Sequence, residues 1–366
     1  MLAQIAVITQ ADRCLSPKAK FNEMNKVNNN NCIIAIDAMG GDFAPLNAIV
    51  GAIDALRENN DFELLLVGKK DEIMKVLDKE KLDFPEENIV HASEVIGMKD
   101  TPTTALKQKR DSSIVVGANL VKEKKAHAFV SAGNTGAMMA ASTLIMGRIP
   151  GVGRPTIGAT LPTAKGNFCT VYDVGASVDS KPQHLFEYGI MGSIYAKEIF
   201  GIPNPTIGLL NVGEEESKGN KVAQAAMELF KNSDLNFIGN VEGRDILAGT
   251  ADIVVCDGFV GNIILKFAES IIGLLKAKFK NYAESSFANK LKVGMAKGTL
   301  KAVLEDMDYQ KYGGVPLLGV NGISIIGHGS SSTLAIKNMV LRAKEMFDKN
   351  LIKKIEDSVK HYENKT

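Results

Sequence analysis

The sequence predicts an α/β protein built on a mostly parallel sheet. Three observations carry this. Short apolar runs alternate with longer amphipathic segments along the whole chain, which is the pattern of βαβ units. The apolar runs repeatedly end in small, polar or glycine residues before the next helix begins. Glycine is frequent (34 residues) and tryptophan is absent, which favours many tight strand-to-helix turns over a few large aromatic cores.

Length and charge bound the possibilities. At 366 residues the chain is long enough for one large α/β unit or two lobes. A hydrophobic content of 45% and a charged content of 23% are those of a soluble globular protein. The formal net charge is +1, so no global field argues for nucleic acid, and a charged partner must be read by a local patch. Cys14, Cys32, Cys169 and Cys256 are far apart. They form no CxxC pair; Cys169 and Cys256 lie in apolar strand-like runs and suit reduced core thiols, which fits a reducing cytoplasm. The five histidines show no metal-ligand spacing, and no metal or cofactor is expected.

In order, residues 1–31 read as a flexible extension ending in an asparagine tract, with Met24 a plausible alternative start. Residues 33–37 form a buried first strand, and Pro45 opens a helix to about residue 57. A strand at 62–67, a helix at 71–77 and a short strand at 88–91 follow. Asp100-Thr101-Pro102 begins a helical region running to about 125. The apolar run 126–130 is a strand that ends in Ser131-Ala132-Gly133-Asn134-Thr135-Gly136-Ala137, and a helix continues to Met146. Strands are expected at 156–161, 168–172, 206–210, 236–238, 252–256 and 323–326. Helices are expected at 182–200, from 220 to 231, over about 262–304 and up to 347. A charged tail closes the chain at 351–366. No linker separates domains.

Ligands of open parallel sheets bind outside the carboxyl ends of the strands. Five strand ends here are small, polar or charged: 37–42, 131–136, 173–175, 211–219 and 328–331. Their convergence on one edge of the sheet would make a polar cleft. Backbone N–H groups and a helix start at 131–137 suit an anion such as phosphate; the alternative is that a strand-to-helix turn needs glycines and a cap in any case. The chain has no G-x-G-x-x-G with a downstream ribose-binding acid, no P-loop and no G-x-S-x-G elbow. What is left is a site that binds an oxyanion and works by positioning and electrostatics.

The stretches IAIDAMGGDFAP (34–45), PTTALKQKRDSS (102–113), SAGNTGA (131–137), RPTIGATLPT (154–163), DVGASVDSKPQHL (173–185), GLLNVGEEESKGN (208–220), NFIGNVEGRDI (236–246), ADIVVCDGFVGNIILK (251–266), YGGVPLLGVNG (312–322) and GHGSS (327–331) resemble, in order, the acyl-ACP:phosphate acyltransferases of bacterial phospholipid synthesis, the PlsX family. The resemblance covers about residues 33–351. It implies a three-layer α/β/α sandwich like that of isocitrate and isopropylmalate dehydrogenases, with a catalytic domain over 32–350, and a homodimer without cofactor. It also implies transfer of an acyl group from acyl carrier protein to inorganic phosphate, upstream of an acyl-phosphate:glycerol-3-phosphate acyltransferase. A thioester is electrophilic enough for phosphate to attack directly. Alternatives are a phosphotransacetylase using acyl-CoA, a decarboxylating dehydrogenase, for which neither a nicotinamide site nor metal carboxylates can be assembled, and a non-catalytic adaptor.

Lys218, in a glycine-flanked loop before a helix, is the expected catalytic cation; the bland alternative is an exposed lysine at a helix start. Ser131, Gly133, Asn134, Thr135 and Gly136 are the expected phosphate cradle. Asp37, Gly40, Gly41 and Asp42 shape its wall, unless the aspartates only cap a helix. Asp173 and Asn211 are expected to orient Lys218 or bound water. His328 either donates to a phosphate or makes a structural bond, and Arg154 either reaches an anion or marks a loop. The sequence has Ser177 where the family's DVGAN motif has asparagine; serine offers a different donor–acceptor geometry.

Residues 262–304 read as a helical hairpin with apolar positions Ile264, Phe267, Ile271, Leu274 and Leu275 and many lysines, including Lys276, Lys278 and Lys280. Such a surface suits an anionic membrane, the acidic carrier protein, or burial in a dimer or core. Lys107, Lys109 and Arg110 form a rival carrier-protein patch, or simply a solvated face. The resemblance implies a cytoplasmic protein associated peripherally with membrane.

Overall fold

The computed structural model describes residues 31–303 and 313–363. The predicted extension therefore lies, apart from Asn31, outside the described residues. Eleven strands form one sheet: β1 (Cys32–Asp37), β2 (Phe62–Gly68), β3 (Ile89–His91), β4 (Ala128–Ser131), β5 (Thr156–Pro162), β6 (Phe168–Tyr172), β7 (Ile207–Leu210), β8 (Phe237–Val241), β9 (Ile253–Val255), β10 (Val315–Leu318) and β11 (Ile323–Ile326). The helices are α1 (Leu46–Glu58), α2 (Lys70–Glu80), α3 (Pro102–Gln108), α4 (Ser113–Lys122), α5 (Thr135–Ala141), α6 (Pro182–Ile199), α7 (Lys221–Lys231), α8 (Gly243–Ala248), α9 (Gly258–Glu284), α10 (Phe287–Val303), α11 (Thr333–Asp348) and α12 (Leu351–Glu363).

The sheet is buried on both faces. Along β1, Ile34 and Ile36 enter one hydrophobic core while Ala35 enters the other, as the two-residue period of a strand requires. The first core joins the sheet to α1, α6, α11 and α12, and the second joins it to α4 and α5. The expected three-layer sandwich is the observed architecture.

Strand direction is where the fold departs from expectation. The order is β3-β2-β1-β4-β11-β10-β5-β6-β9-β7-β8. The first five strands are mutually parallel, as are the last four. Between them, three successive antiparallel pairings, β11 with β10, β10 with β5 and β5 with β6, reverse the direction. The carboxyl ends of β1, β4 and β11 therefore leave one edge of the sheet, and those of β6, β7, β8 and β9 leave the other. The five polar strand ends divide three and two instead of converging on one edge.

Smaller differences have local causes. The helical region expected from 100 to 125 is two helices. Asp111 accepts from the Ser93 N–H and hydroxyl, which holds the chain in a loop, and Ser112 caps the second helix through Val115 N–H. Strand β10 was not expected; Pro316 within it argues against a strand by sequence. Helix α8 was also not expected, and it is held by reciprocal bonds between Glu242 and Asp245. The charged tail is helix α12, whose Leu351, Ile355 and Val359 are buried in the first core.

Candidate active site

The three loops at the β1, β4 and β11 ends pack into one tight junction. Gly133 N–H donates to Ser131 Oγ (2.9 Å), whose hydroxyl donates to Asp37 Oδ2 (2.7 Å). Asp37 Oδ1 accepts from Met39 N–H. A Cβ on Gly40 would lie 2.6 Å from Asp37 Oδ2 and 2.7 Å from Gly133 N, so only glycine lets the two loops close over the carboxylate. Burial raises the pKa of Asp37 above the ordinary carboxylate range, opposed by hydrogen bonds from Ser113, Ser131 and the Met39 and Gly40 N–H groups. Gly41, at φ +94°, turns the chain so that Asp42 N–H reaches Gly329 O (2.7 Å).

This changes the reading of the expected cradle. The Gly133 N–H and the Ser131 hydroxyl are spent inside the loop. Asn134 caps α5 through Ala137 N–H (3.0 Å), and its amide donates to the carbonyls of Gly97, Met98 and Asp100. A Cβ on Gly136 would meet Pro102 Cγ at 2.6 Å, so this glycine seats α5 on α3. Thr135 alone of these residues is exposed. His328 is exposed, and its Nδ1 pairs with Ser330 Oγ (2.7 Å).

At the opposite edge, Asp173 is fully buried. It accepts from four backbone N–H groups, those of Ile157, Gly175, Ala176 and Ser177. Burial raises its pKa against those bonds. Asp173 thus braces the turn after β6 and makes no bond to Lys218; orienting that lysine was one of the two roles expected of it. Ser177 Oγ accepts from Arg154 (2.6 Å) and donates to Asp179 O (3.3 Å). The serine here donates and accepts at once, and Arg154 is tied to it.

Asn211 does meet the Lys218 loop. Its amide nitrogen donates to Lys218 O (3.1 Å), and its side-chain oxygen accepts from Val212 N–H. A Cβ on Gly219 would lie 2.6 Å from the Asn211 amide, so glycine is required where the loop folds back. Asn240, which sequence reasoning missed as a site residue, donates to Glu215 O (2.9 Å). Its side-chain oxygen is buried without a partner among the described residues. The acids flanking Lys218 pair elsewhere, Glu214 with Arg244 and Glu216 with Lys231. Lys218 is exposed and forms no ion pair with a described residue.

Beside this loop lies a cavity of about 480 Å³, within the roughly 300–1,000 Å³ of small-molecule sites. Asn211, Gly219, Asn220 and Asp257 give it one polar side. Leu185, Leu209, Val222, Val260 and Ile264 are among its apolar walls. The polar residues are strand ends and helix caps: Asn220 caps α7 through Ala223 N–H, and Asp257 caps α9 through Val260 N–H. The apolar ones come from four separate elements, so no local sequence pattern marks them. No cluster of metal-ligating side chains occurs among the described residues.

The basic candidates separate. Lys109 pairs with Asp100 and donates to Val95 O, so it is a structural tether. Lys107 and Arg110 are exposed. Helices α9 and α10 form the expected hairpin, and its apolar side is outside the core: Phe267 is 67% exposed and Phe287 85%. Lys276, Lys278 and Lys280 are all exposed. Among the described residues α9 is long and apolar enough to cross a membrane by length and composition, with a mean hydropathy of 1.6.

Fold and cleft together define an α/β protein with a cation loop set beside an apolar cavity, a layout for a ligand with an anionic and an apolar part. Residues 32–354 match the family described as "Fatty acid synthesis protein", and the chain belongs to it. Its relatives include a phosphate acyltransferase of Halothermothrix orenii, 47% identical over 330 residues that cover 89% of this chain and 98% of the relative. Another, from Chlorobaculum parvum, is 48% identical over 331 residues covering 88% and 97%. Among solved structures, the EutD phosphotransacetylase of Staphylococcus aureus is similar in fold (TM-score 0.56, 16% identity, covering 87% of this chain and 94% of that one). So is a phosphotransacetylase of Streptococcus pyogenes (0.53, 19%, 94% and 100%).

Proposed function

We propose that this protein is a phosphate acyltransferase that moves a fatty acyl group from a thioester, acyl-ACP, to inorganic phosphate. The acyl-phosphate formed then serves glycerol-3-phosphate acylation in phospholipid synthesis. The observation that carries the site assignment is Lys218 beside the apolar cavity. The names of the relatives support the reaction class.

In this reading a phosphate oxygen attacks the thioester carbonyl carbon. A C–O bond forms, the C–S bond breaks, and the electron pair leaves on sulfur, which takes a proton as the free carrier thiol. The chemistry needs no enzyme-bound acyl group. It needs phosphate held against a carbonyl and charge developing on oxygen to be stabilised. Lys218 supplies the cation for both. Asn211 fixes its backbone, and the amide-rich wall at Gly219 and Asn220 receives the polar end of the substrate. The protein works as a homodimer in the cytoplasm. It sits on anionic membrane through Lys276, Lys278 and Lys280, where it hands acyl-phosphate to the next acyltransferase.

The test is to incubate the full chain with palmitoyl-ACP and phosphate and to measure free carrier thiol and acyl-phosphate trapped by hydroxylamine. Phosphate-dependent release of both is expected. Thiol release that ignores phosphate refutes the proposal. Palmitoyl-CoA run alongside separates it from an acyl-CoA phosphotransacylase, the second reading that the fold likeness to phosphotransacetylases favours. Flotation with anionic vesicles, weakened by charge reversal at the three lysines, tests the membrane assignment.

A further inference from the structure

The apolar wall of the cavity continues beyond it. Val260 and Ile264 line the cavity, and both lie in the first two turns of α9. The same helix then carries Phe267, Ile271 and Leu274. These five positions are spaced by four, three, four and three residues, which puts them on one helix face. The same cavity is lined by Leu185, Leu209 and Val222, and Val260 there is 37% exposed. Outside it the face is open, with Phe267 67% and Leu274 56% exposed. The next position on the face is Lys278, which is exposed and interrupts the stripe before Tyr282, 49% exposed, four residues further on. From Val260 to Lys278 is about 27 Å of helix axis at 1.5 Å per residue. A contiguous exposed apolar strip of this kind marks a binding surface.

We infer that the cavity and this stripe form one continuous track for the fatty acyl chain of the donor. The carbons next to the thioester lie in the cavity, and the distal carbons lie along Ile264, Phe267, Ile271 and Leu274. The inference rests on the proposed acyl transfer and adds the place and the length reading of the chain. Two features of the structure select this occupant. The stripe begins as a wall of the cavity, so whatever fills the cavity is led onto it. The polar groups, Asn211, Gly219, Asn220, Asp257 and the adjoining Lys218, gather at the cavity and not along the stripe from Ile264 to Leu274, which matches a ligand with one reactive polar end and a long apolar remainder. The hairpin then helps to set chain-length preference.

The experiment compares butyryl-ACP and palmitoyl-ACP with the full chain in buffer free of vesicles, using Phe267→Ser, Leu274→Ser and, within the cavity, Ala223→Phe. For the two hairpin variants kcat/KM should fall at least tenfold with palmitoyl-ACP and stay within twofold with butyryl-ACP. Ala223→Phe should lower kcat/KM at least tenfold with both donors, because the carbons next to the thioester occupy the cavity in either case. For the two hairpin variants, equal loss with both donors overturns the inference, as does full retention with palmitoyl-ACP; for Ala223→Phe, undiminished activity with palmitoyl-ACP overturns it. Equal loss accompanied by a change in elution volume on gel filtration assigns the stripe to contact with a second copy instead. A selective loss that appears only when anionic vesicles are added assigns it to the membrane, again against the inference. If the unaltered protein turns over neither donor, the acyl-transfer reading fails, and that result is distinct from a flat chain-length profile in an active enzyme.

Discussion

Ser131 Oγ donates to Asp37 Oδ2 at 2.7 Å while accepting the Gly133 N–H at 2.9 Å. One hydroxyl thus joins the ends of two neighbouring strands and orders the glycine turn above them. Both residues are 2% exposed, so neither can exchange this bond for water.

The first prediction follows from that bond. Ser131→Ala leaves a buried carboxylate oxygen and the Gly133 N–H each short of a partner. Such losses cost about 1–3 kcal/mol. Denaturant unfolding should show a lower midpoint with an unchanged slope. An unchanged midpoint would mean that the hydroxyl does not hold the junction.

Lys218 makes the opposite prediction. It is exposed, and its side chain has no described ion-pair partner, so Lys218→Ala should leave the melting temperature within a degree or two. Loss of a positioned charge at a reacting group typically lowers turnover by about 10²–10³, and a fall of that size in phosphate-dependent thiol release is expected. Asn211→Ala, which frees the Lys218 carbonyl, should lower kcat/KM less, because the lysine remains but is no longer held. Activity retained in Lys218→Ala would exclude it as the catalytic cation.

His127 gives a pH dependence. Its Nδ1 accepts the Ile33 N–H (3.0 Å), and its ring lies 4.6 Å from that of Phe347. Burial lowers its pKa below the ordinary 6.5. A histidine depressed in the folded state binds fewer protons there than in the unfolded chain. Its contribution is present above pH 6.5 and is lost as pH falls below it. Protonation would also set two donors against each other at Ile33. The melting temperature should drop between pH 7 and pH 5. His127→Asn, whose side-chain oxygen can still accept, should flatten that drop; an unchanged slope would exclude His127 as its source.

The thiols provide a chemical check of burial. Burial pushes Cys32 and Cys169 up to about 12 and raises Cys256 well above its ordinary value. The thiolate is the reactive form. In a Cys14→Ser background the native protein should show no reaction with a chromogenic disulfide at pH 8, and three equivalents should appear on unfolding in guanidinium. Rapid native labelling of Cys256, which lines the cavity, would show that the cavity opens.

Much of the fold was legible because it is local. The run at 168–172 reads as a strand from its apolar residues alone, and β6 has those bounds. Asn220, Asp257 and Ser332 sit as caps where helices begin, each a short side chain accepting its own helix's N–H. The Asn211–Lys218 loop was legible for the same reason: its glycines and amide act within nine residues. The cavity was not, since Leu185, Leu209, Val222 and Val260 are ordinary apolar residues of separate elements that meet only by packing. The role of Asp173 was also hidden, because a carboxylate at a strand end looks the same whether it faces ligand or four backbone N–H groups.

By itself the sequence determined the alternation of strands and helices, the glycine turns at the strand ends and the family. These depend on side-chain periodicity and on what each turn permits within a few residues. Only the tertiary structure decided which strand ends share an edge. That rests on the antiparallel pairings of β10 and β5, made between residues about 160 apart in the chain for the β10–β5 pair, and the apolar pattern of a strand is the same whichever way it runs. Those pairings part Lys218 from the Ser131 turn and place it beside the cavity instead.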